Sequence, residues 1–328
     1  MSQELTPTRI AEMARAFMTS RIILTAWELG VFPTLRDGPL TAGEVAQRIG
    51  CSERGTDRLL AALVVLGLLE KEGDKYALTD VARRAFLPES PEFLGGLGHA
   101  CQLWETWSTL TDAVRRGGEV LGTAMPQRDR EYFEKFIAAM HANAAPRAAE
   151  IAALLPLRDP RRIIDVGGGS GAYAAAFAAR FPQADVILFD LPQVVEIAPS
   201  FLQRTPGGDR VRLVAGDMLT DDLPGPADLI WMSAIIHMFS PDENRQLVGR
   251  CARALAPGGL LAIQDFVMDE ARLNPPAGAI FALNMLVGRD SGDTYTEGEI
   301  RAWFEDAGLQ FVERIDRPYN NAIMIARR

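Results

Sequence analysis

At Arg161 the hydrophobic rhythm of the chain changes, and the new pattern limits the fold more than any other feature. Short apolar runs appear: Ile163-Ile164-Asp165-Val166, Asp185 to Phe189, Val211 to Val214, Leu229 to Met232 and Leu260 to Phe266. Helical stretches separate most of them, including an Ala-rich one to Arg180, then Gln193–Arg204 and Asp242–Leu255. Strands that are apolar throughout and alternate with helices belong to a parallel sheet covered on both faces. The last two runs, Phe311 to Ile315 and Ala322 to Ala326, are joined only by Asp316-Arg317-Pro318-Tyr319-Asn320-Asn321. A parallel crossover needs a dozen or more residues, so this pair is a hairpin and the last strand is antiparallel. The expected fold class is α/β with seven strands.

The first 95 residues read differently. Ile10 to Leu29 carries Ile10, Met13, Ala14, Phe17 and Met18 at helical spacing and stops at Gly30. Thr41 with Glu44 forms a capping box, and Ser52 caps a helix that ends at Gly67. Leu68-Leu69-Glu70-Lys71 and Tyr76-Ala77-Leu78 flank Glu72-Gly73-Asp74, a two-strand wing around a turn. Helix, helix and β-wing make a winged-helix pattern. Residues 96–157 then hold two amphipathic helices, separated by Gly117-Gly118 and Pro126. The expected domains are 1–95 and 96–328, with 96–157 as bridging helices.

Length supports this division, since 328 residues correspond to about two domains. With 34 Lys+Arg against 43 Asp+Glu the net charge is −9, which disfavours nucleic acid and anionic membrane surfaces. Cys51, Cys101 and Cys251 lie far apart and form neither a disulfide framework nor a zinc site, as suits a reducing cytoplasm. No metal is expected. Leu59 to Leu69, the longest apolar run, is half of the ~20 residues a membrane span needs. The Met-Ser-Gln-Glu-Leu-Thr-Pro start has no secretory character.

The chemistry begins at Asp165-Val-Gly167-Gly168-Gly169-Ser-Gly171, between a strand and a helix. Glycines let the backbone turn sharply and approach a ligand, and the helix start beyond offers free N–H groups. About 20 residues on, Leu188-Phe189-Asp190 ends the next strand with a carboxylate placed for ribose hydroxyls. These letters alone suit NAD as well as S-adenosylmethionine. Gly216-Asp217-Met218 follows the third strand, an acid and a thioether suited to the edge and face of an adenine ring. The start of the sheet at 161 and the antiparallel last strand favour S-adenosylmethionine.

In these motifs and their order the chain resembles the bacterial branch of the S-adenosylmethionine-dependent O-methyltransferases, related to plant caffeic-acid-type and hydroxyindole-type enzymes. The resemblance spans nearly the whole chain. It implies a Rossmann-like methyltransferase sheet and an N-terminal, all-α winged-helix-like domain that makes a homodimer. Asp165, Gly167, Gly168, Gly169, Asp190, Leu191, Asp217, Met218 and Ser233 match its cofactor positions, Ser233 standing where the family has Lys. His237, after the fourth strand, matches the family's base, and an imidazole is suited to take a proton from a hydroxyl. Asp265, after the fifth strand, matches its orienting carboxylate. Thr294 replaces a second family carboxylate; Asp293 and Glu297 are the neighbouring acids. Met238 and Phe239 replace an Asp-Trp pair. Phe136, Met140 and Met285 match the substrate chamber, with Asn284, Leu103 and Trp107 as further lining. Trp104 and His99 are weaker candidates, and His141 reads as structural.

The implied reaction is methyl transfer from S-adenosylmethionine to a hydroxyl, most simply phenolic, of an aromatic small molecule. The changed second carboxylate leaves room for C- or N-methylation, or for non-methylating chemistry on the same cofactor. A ligand-sensing DNA-binding regulator is disfavoured by charge: residues 1–95 hold 11 Lys/Arg against 13 Asp/Glu. NAD-dependent oxidoreduction is the remote alternative.

Overall fold

The structure, a computed structural model, describes residues 5–90, 92–122, 130–316 and 321–328. The expectations for Pro126, for positions 317–320 of the last hairpin's turn and for the first four residues lie outside the described residues. The chain forms two compact units, residues 1–102 and 103–328.

In the first unit the helices are α1 (Pro7–Arg15), α2 (Phe17–Glu28) and α3 (Val31–Thr34). Strand β1 (Leu40–Thr41) leads into α4 (Ala42–Ile49) and α5 (Glu53–Val65). The wing is β2 (Leu69–Glu72) and β3 (Lys75–Leu78), followed by α6 (Asp80–Phe86). The expected single helix from Ile10 to Leu29 is two helices, joined at Ala16, whose own dihedrals remain helical. The wing has a third strand, because β1 pairs with β3. The Thr41–Glu44 capping box forms, as does the Ser52 cap. The core gathers Leu60, Leu63, Tyr76 and a stacked Phe32–Phe86 pair. By contrast, α1 buries nothing, and Ile10, Met13 and Phe17 stand exposed at helical spacing.

Helix α7 (Leu97–Trp107) runs through the division between the units, followed by α8 (Leu110–Arg116) and the long α9 (Arg130–Leu154). The α/β part comprises β4 (Arg162–Val166), α10 (Ala172–Arg180), β5 (Asp185–Asp190), α11 (Pro192–Ile197), α12 (Pro199–Leu202) and β6 (Val211–Ala215). It continues with β7 (Ala227–Ser233), α13 (Pro241–Ala254), β8 (Leu255–Asp265), β9 (Val267–Met268) and α14 (Pro276–Gly288). The chain ends in β10 (Tyr295–Thr296), α15 (Glu297–Asp306), β11 (Gln310–Asp316) and β12 (Ala322–Arg327). The helix expected over Gln193–Arg204 is broken, because Pro199 lacks the N–H that would continue it and begins α12 instead.

The main sheet runs β11-β12-β8-β7-β4-β5-β6, with β12 antiparallel to its neighbours. The chain enters at β4, moves outward to β6, then returns to build β7 and β8 on the other side. Strand order therefore reverses beside β4, the place where open α/β sheets bind ligands. One face packs on α13 and α15 through Leu247, Val248, Trp303 and Phe304. The other packs on α9 and α10 through Ile151, Phe177 and a series of alanines that let the helix lie close. Burial of each large apolar side chain contributes roughly 1.5–3 kcal/mol. Among the described residues no helix is long and apolar enough to cross a membrane.

Candidate active site

Beyond β4 the chain bends through Gly167 (φ 68°), and the Gly167 N–H donates to Phe189 O at 2.8 Å. A Cβ at this position would lie 2.3 Å from Ile235 Cδ1 and 3.1 Å from Met218 Cε. At Gly168 a Cβ would lie 2.9 Å from the Asp165 carboxylate. Both positions thus need glycine, one for its dihedral and both for space. Gly169 points its N–H at Asp190.

Two buried carboxylates underlie this turn. Asp190 Oδ2 accepts from Gly169 N at 2.9 Å, and its Oδ1 accepts from Leu191 N at 2.7 Å. Asp165 Oδ2 accepts from Ala174 N at 3.0 Å. Backbone N–H groups, rather than a cation, hold each of them. Burial pushes Asp190 up to about 6. Burial, assisted by the nearby Asp190 charge, pushes Asp165 up to about 7. Gly216 N donates to Asp190 O, so the loop after β6 is fastened to the same corner. Asp217 there turns its carboxylate onto Leu219 N, and Met218 is buried beside Gly167. An open glycine turn over paired buried acids fits a cationic nucleoside such as S-adenosylmethionine: Asp190 and Asp217 would hold its hydroxyl and ring edges, Leu191 and Met218 its apolar faces.

The raised Asp165 has a consequence for stability. A folded value of about 7 against an ordinary 3.8 means the fold gains stability on protonation. That gain is full below the unfolded value and is lost as pH rises through 7. Asp165→Asn keeps an oxygen for Ala174 N without the charge. The ligand-free variant is expected to exceed wild type in stability at pH 8, on the order of 2–4 kcal/mol. The difference shrinks by pH 5; urea unfolding at both values measures it. A variant less stable than wild type at pH 8 contradicts the assignment.

Across the switch point, β7 runs out at Ser233, Ala234 takes a left-handed φ of 57°, and a single 3-10 turn (Ile236–Met238) follows. Asn244 fastens this turn through Ile236 O and Phe239 O, at 2.8 and 3.2 Å. Tyr295 donates to Phe239 O, and Asp293 N donates to His237 O. His237 is 9% exposed and its Nδ1 lies 2.9 and 3.0 Å from the two oxygens of Asp265. Asp265, at the end of the adjoining β8, also accepts from Phe266 N at 2.8 Å. A carboxylate only accepts, so Nδ1 carries the proton and Nε2 keeps the lone pair. The ring of Phe281 stands edge-on to His237 at 4.9 Å, with Phe266 4.9 Å beyond it.

The neighbouring acids do not supply a second orienting group. Thr294 is buried with its hydroxyl toward Gly278 O. Asp293 faces Arg272 at 3.5 Å, and Glu297 is shared between Arg301 and Arg314. Among the described residues His237 therefore faces one carboxylate, that of Asp265. Among the described residues no group of three or more His, Cys, Asp or Glu side chains could hold a metal.

Of the expected lining residues, Trp107 and Asn284 meet, Nε1 donating to Oδ1 at 2.8 Å. Met285 is buried one helical turn after Phe281 on α14, while Leu103 is half-buried. Phe136 and Met140 are half-buried on α9; Ile137 on the same helix faces Gly169, which ties that helix to the glycine turn. His141 is bonded to Ser170 Oγ in that turn at 3.0 Å. Sequence reasoning missed Phe281, Phe266, Asn244, Tyr173 and Gln264. Only Phe281 had a signal, its four-residue spacing to Met285.

A family profile described as the O-methyltransferase domain matches residues 107–310. The chain belongs to the O-methyltransferase family. A second profile, the O-methyltransferase dimerisation domain, matches residues 11–87. Among similar proteins, the 3-hydroxy-5-methyl-1-naphthoate 3-O-methyltransferase of Streptomyces sahachiroi is 31% identical, over 94% of this chain and 91% of its own. The tetracenomycin polyketide synthesis 8-O-methyl transferase TcmO of Streptomyces glaucescens is 33% identical, over 92% and 91%. Human N-acetylserotonin methyltransferase, solved in complex with SAM, superposes with a TM-score of 0.84 at 27% identity, over 100% and 99% of the two chains. As an O-methyltransferase the protein is an S-adenosylmethionine-dependent enzyme, with a mostly helical N-terminal domain before a Rossmann-like sheet.

Proposed function

We propose that this O-methyltransferase methylates a hydroxyl of an aromatic small molecule, with His237 as general base. The reading rests on one observation: a buried imidazole, locked by Asp265 with Nε2 left to accept, at the sheet edge that carries the glycine turn. When bound, S-adenosylmethionine supplies an electrophilic methyl on a sulfonium sulfur. His237 Nε2 takes the hydroxyl proton of the acceptor, and Asp265 stabilises the imidazolium that results. Phe281, Phe266 and Met285 give a flat apolar acceptor something to lie against. Phe136, Met140, Leu103, Trp107 and Asn284 complete the lining in this reading.

The exposed Ile10, Met13 and Phe17 on and beside α1, within and next to the matched dimerisation segment, support a homodimer. The acidic composition supports neither nucleic acid nor anionic membrane as a partner, and the scattered cysteines fit a cytoplasmic setting.

Two measurements test the donor and the acceptor. S-adenosylhomocysteine should raise the melting temperature and NADH should not. Incubation with S-adenosylmethionine and a panel of phenols, flavonoids and polyketide aglycones should add a methyl group detectable by mass spectrometry. Stabilisation by NADH alone, or no methylated product across the panel, counts against the proposal. Asp190→Ala is expected to weaken S-adenosylhomocysteine by about 1–3 kcal/mol, the value of a charge-assisted hydrogen bond. Calorimetry showing unchanged affinity removes Asp190 from the ribose role.

A further inference from the structure

On the α9/α10 face of the sheet, at the same carboxyl edge, three polar side chains meet amid apolar packing. Tyr173 comes from the first turn of α10, is 8% exposed and lies 5.1 Å from the Trp231 ring. Its hydroxyl is 3.3 Å from Gln264 Nε2 and is hydrogen-bonded to Ser233. Ser233 and Gln264 are facing residues that close the β7–β8 ladder. Gln264 is 6% exposed, and among the described residues its Oε1 has no hydrogen-bond partner. Turning the amide over only exchanges the orphan: Oε1 then accepts from Tyr173 and Nε2 is left over. In either orientation one buried amide end is unsatisfied, and such a group needs an explanation.

We propose that Tyr173, Ser233 and Gln264 seat the amino-acid end of S-adenosylmethionine, with the Gln264 amide making the recognition contact. The inference rests on the donor assigned above and goes on to name the residues that read its far end. Asp190 fixes the ribose at the end of β5. The sheet then steps through β4, which carries the glycine turn, to β7 and β8. Neighbouring strands lie about 4.8 Å apart, so the end of β7 is about 10 Å from that of β5. A nucleoside extended by an amino acid, anchored at β5 and crossing the glycine turn, has its far end there. A zwitterion presents N–H donors and carboxylate acceptors together, so it satisfies the amide whichever end is free. The charges of Asp165 and Arg147, one of each sign, are both felt at the Tyr173 hydroxyl.

The test compares S-adenosylhomocysteine with 5′-methylthioadenosine, which keeps the nucleoside and lacks the amino-acid end. By calorimetry, Gln264→Leu is expected to weaken S-adenosylhomocysteine about tenfold to a hundredfold. Binding of 5′-methylthioadenosine should stay within about twofold. Because Gln264→Leu removes a buried orphan, its melting temperature should not fall. Tyr173→Phe, which keeps the ring packing, should shift the same preference and carries the test if Gln264→Leu does not fold. Unchanged S-adenosylhomocysteine affinity, or equal losses for both ligands, overturns the proposal. Asp190→Ala should weaken both ligands. If wild type binds neither, the donor assignment itself falls and takes this inference with it.

Discussion

Replacing His237 by alanine is expected to lower the single-turnover rate of methyl transfer by about two to four orders of magnitude, the usual worth of a positioned general base. Affinity for S-adenosylhomocysteine should stay at the wild-type value, because the proposed cradle, Gly167 to Gly169, Asp190 and Met218, does not include His237. The split between rate and binding is the informative part. A variant that merely misfolds loses both together. His237→Gln, closer in volume, should lose the rate in the same way. Measurement needs saturating donor and one responsive phenol. A variant that keeps its rate has a different base.

Asp265→Asn should cost nearly as much while changing a single atom. Asp265 Oδ1 already accepts from Phe266 N at 2.8 Å, a donor that a neighbouring backbone fixes in place. The asparagine oxygen therefore takes that position, which also lies 2.9 Å from His237 Nδ1. Nδ1–H keeps an acceptor, and what is lost is the negative charge beside the ring. The imidazole is still present and still hydrogen-bonded, yet the imidazolium formed on taking the hydroxyl proton no longer has a carboxylate to stabilise it. We expect a loss of roughly two to four orders of magnitude in kcat, with KM for the donor nearly unchanged. Heteronuclear NMR of labelled histidine should show the proton still on Nδ1. A variant that keeps the wild-type kcat rejects the role of the Asp265 charge.

Residue types and most strand positions were legible in the sequence because local physics writes them there, although β8 begins at Leu255, ahead of the apolar run from Leu260. Ile163 to Val166 is buried on both faces, and the Thr41 and Ser52 caps are local hydrogen bonds. The break at Pro199 was equally local but was masked by the apolar spacing around it. The two-residue strands β9 and β10 are too short to show any period. Partnerships across the sheet left no such trace. His237 and Asp265 are 28 residues apart and meet only because β7 and β8 are neighbours. Tyr173 and Gln264 are 91 apart, and neither is conspicuous in the chain. Thr294 illustrates the reverse case. Its type raised the loss of a second carboxylate, but only the ion pairs of Asp293 and Glu297 with arginines rule both out as replacements.

The most direct measurement locates the transferred methyl. With S-adenosylmethionine labelled at its methyl carbon and an aromatic acceptor that reacts, carbon NMR of the product reports the atom that received it. The His237–Asp265 pair predicts the label on the oxygen of an aromatic hydroxyl. Label on nitrogen or ring carbon, or product without label, contradicts the account.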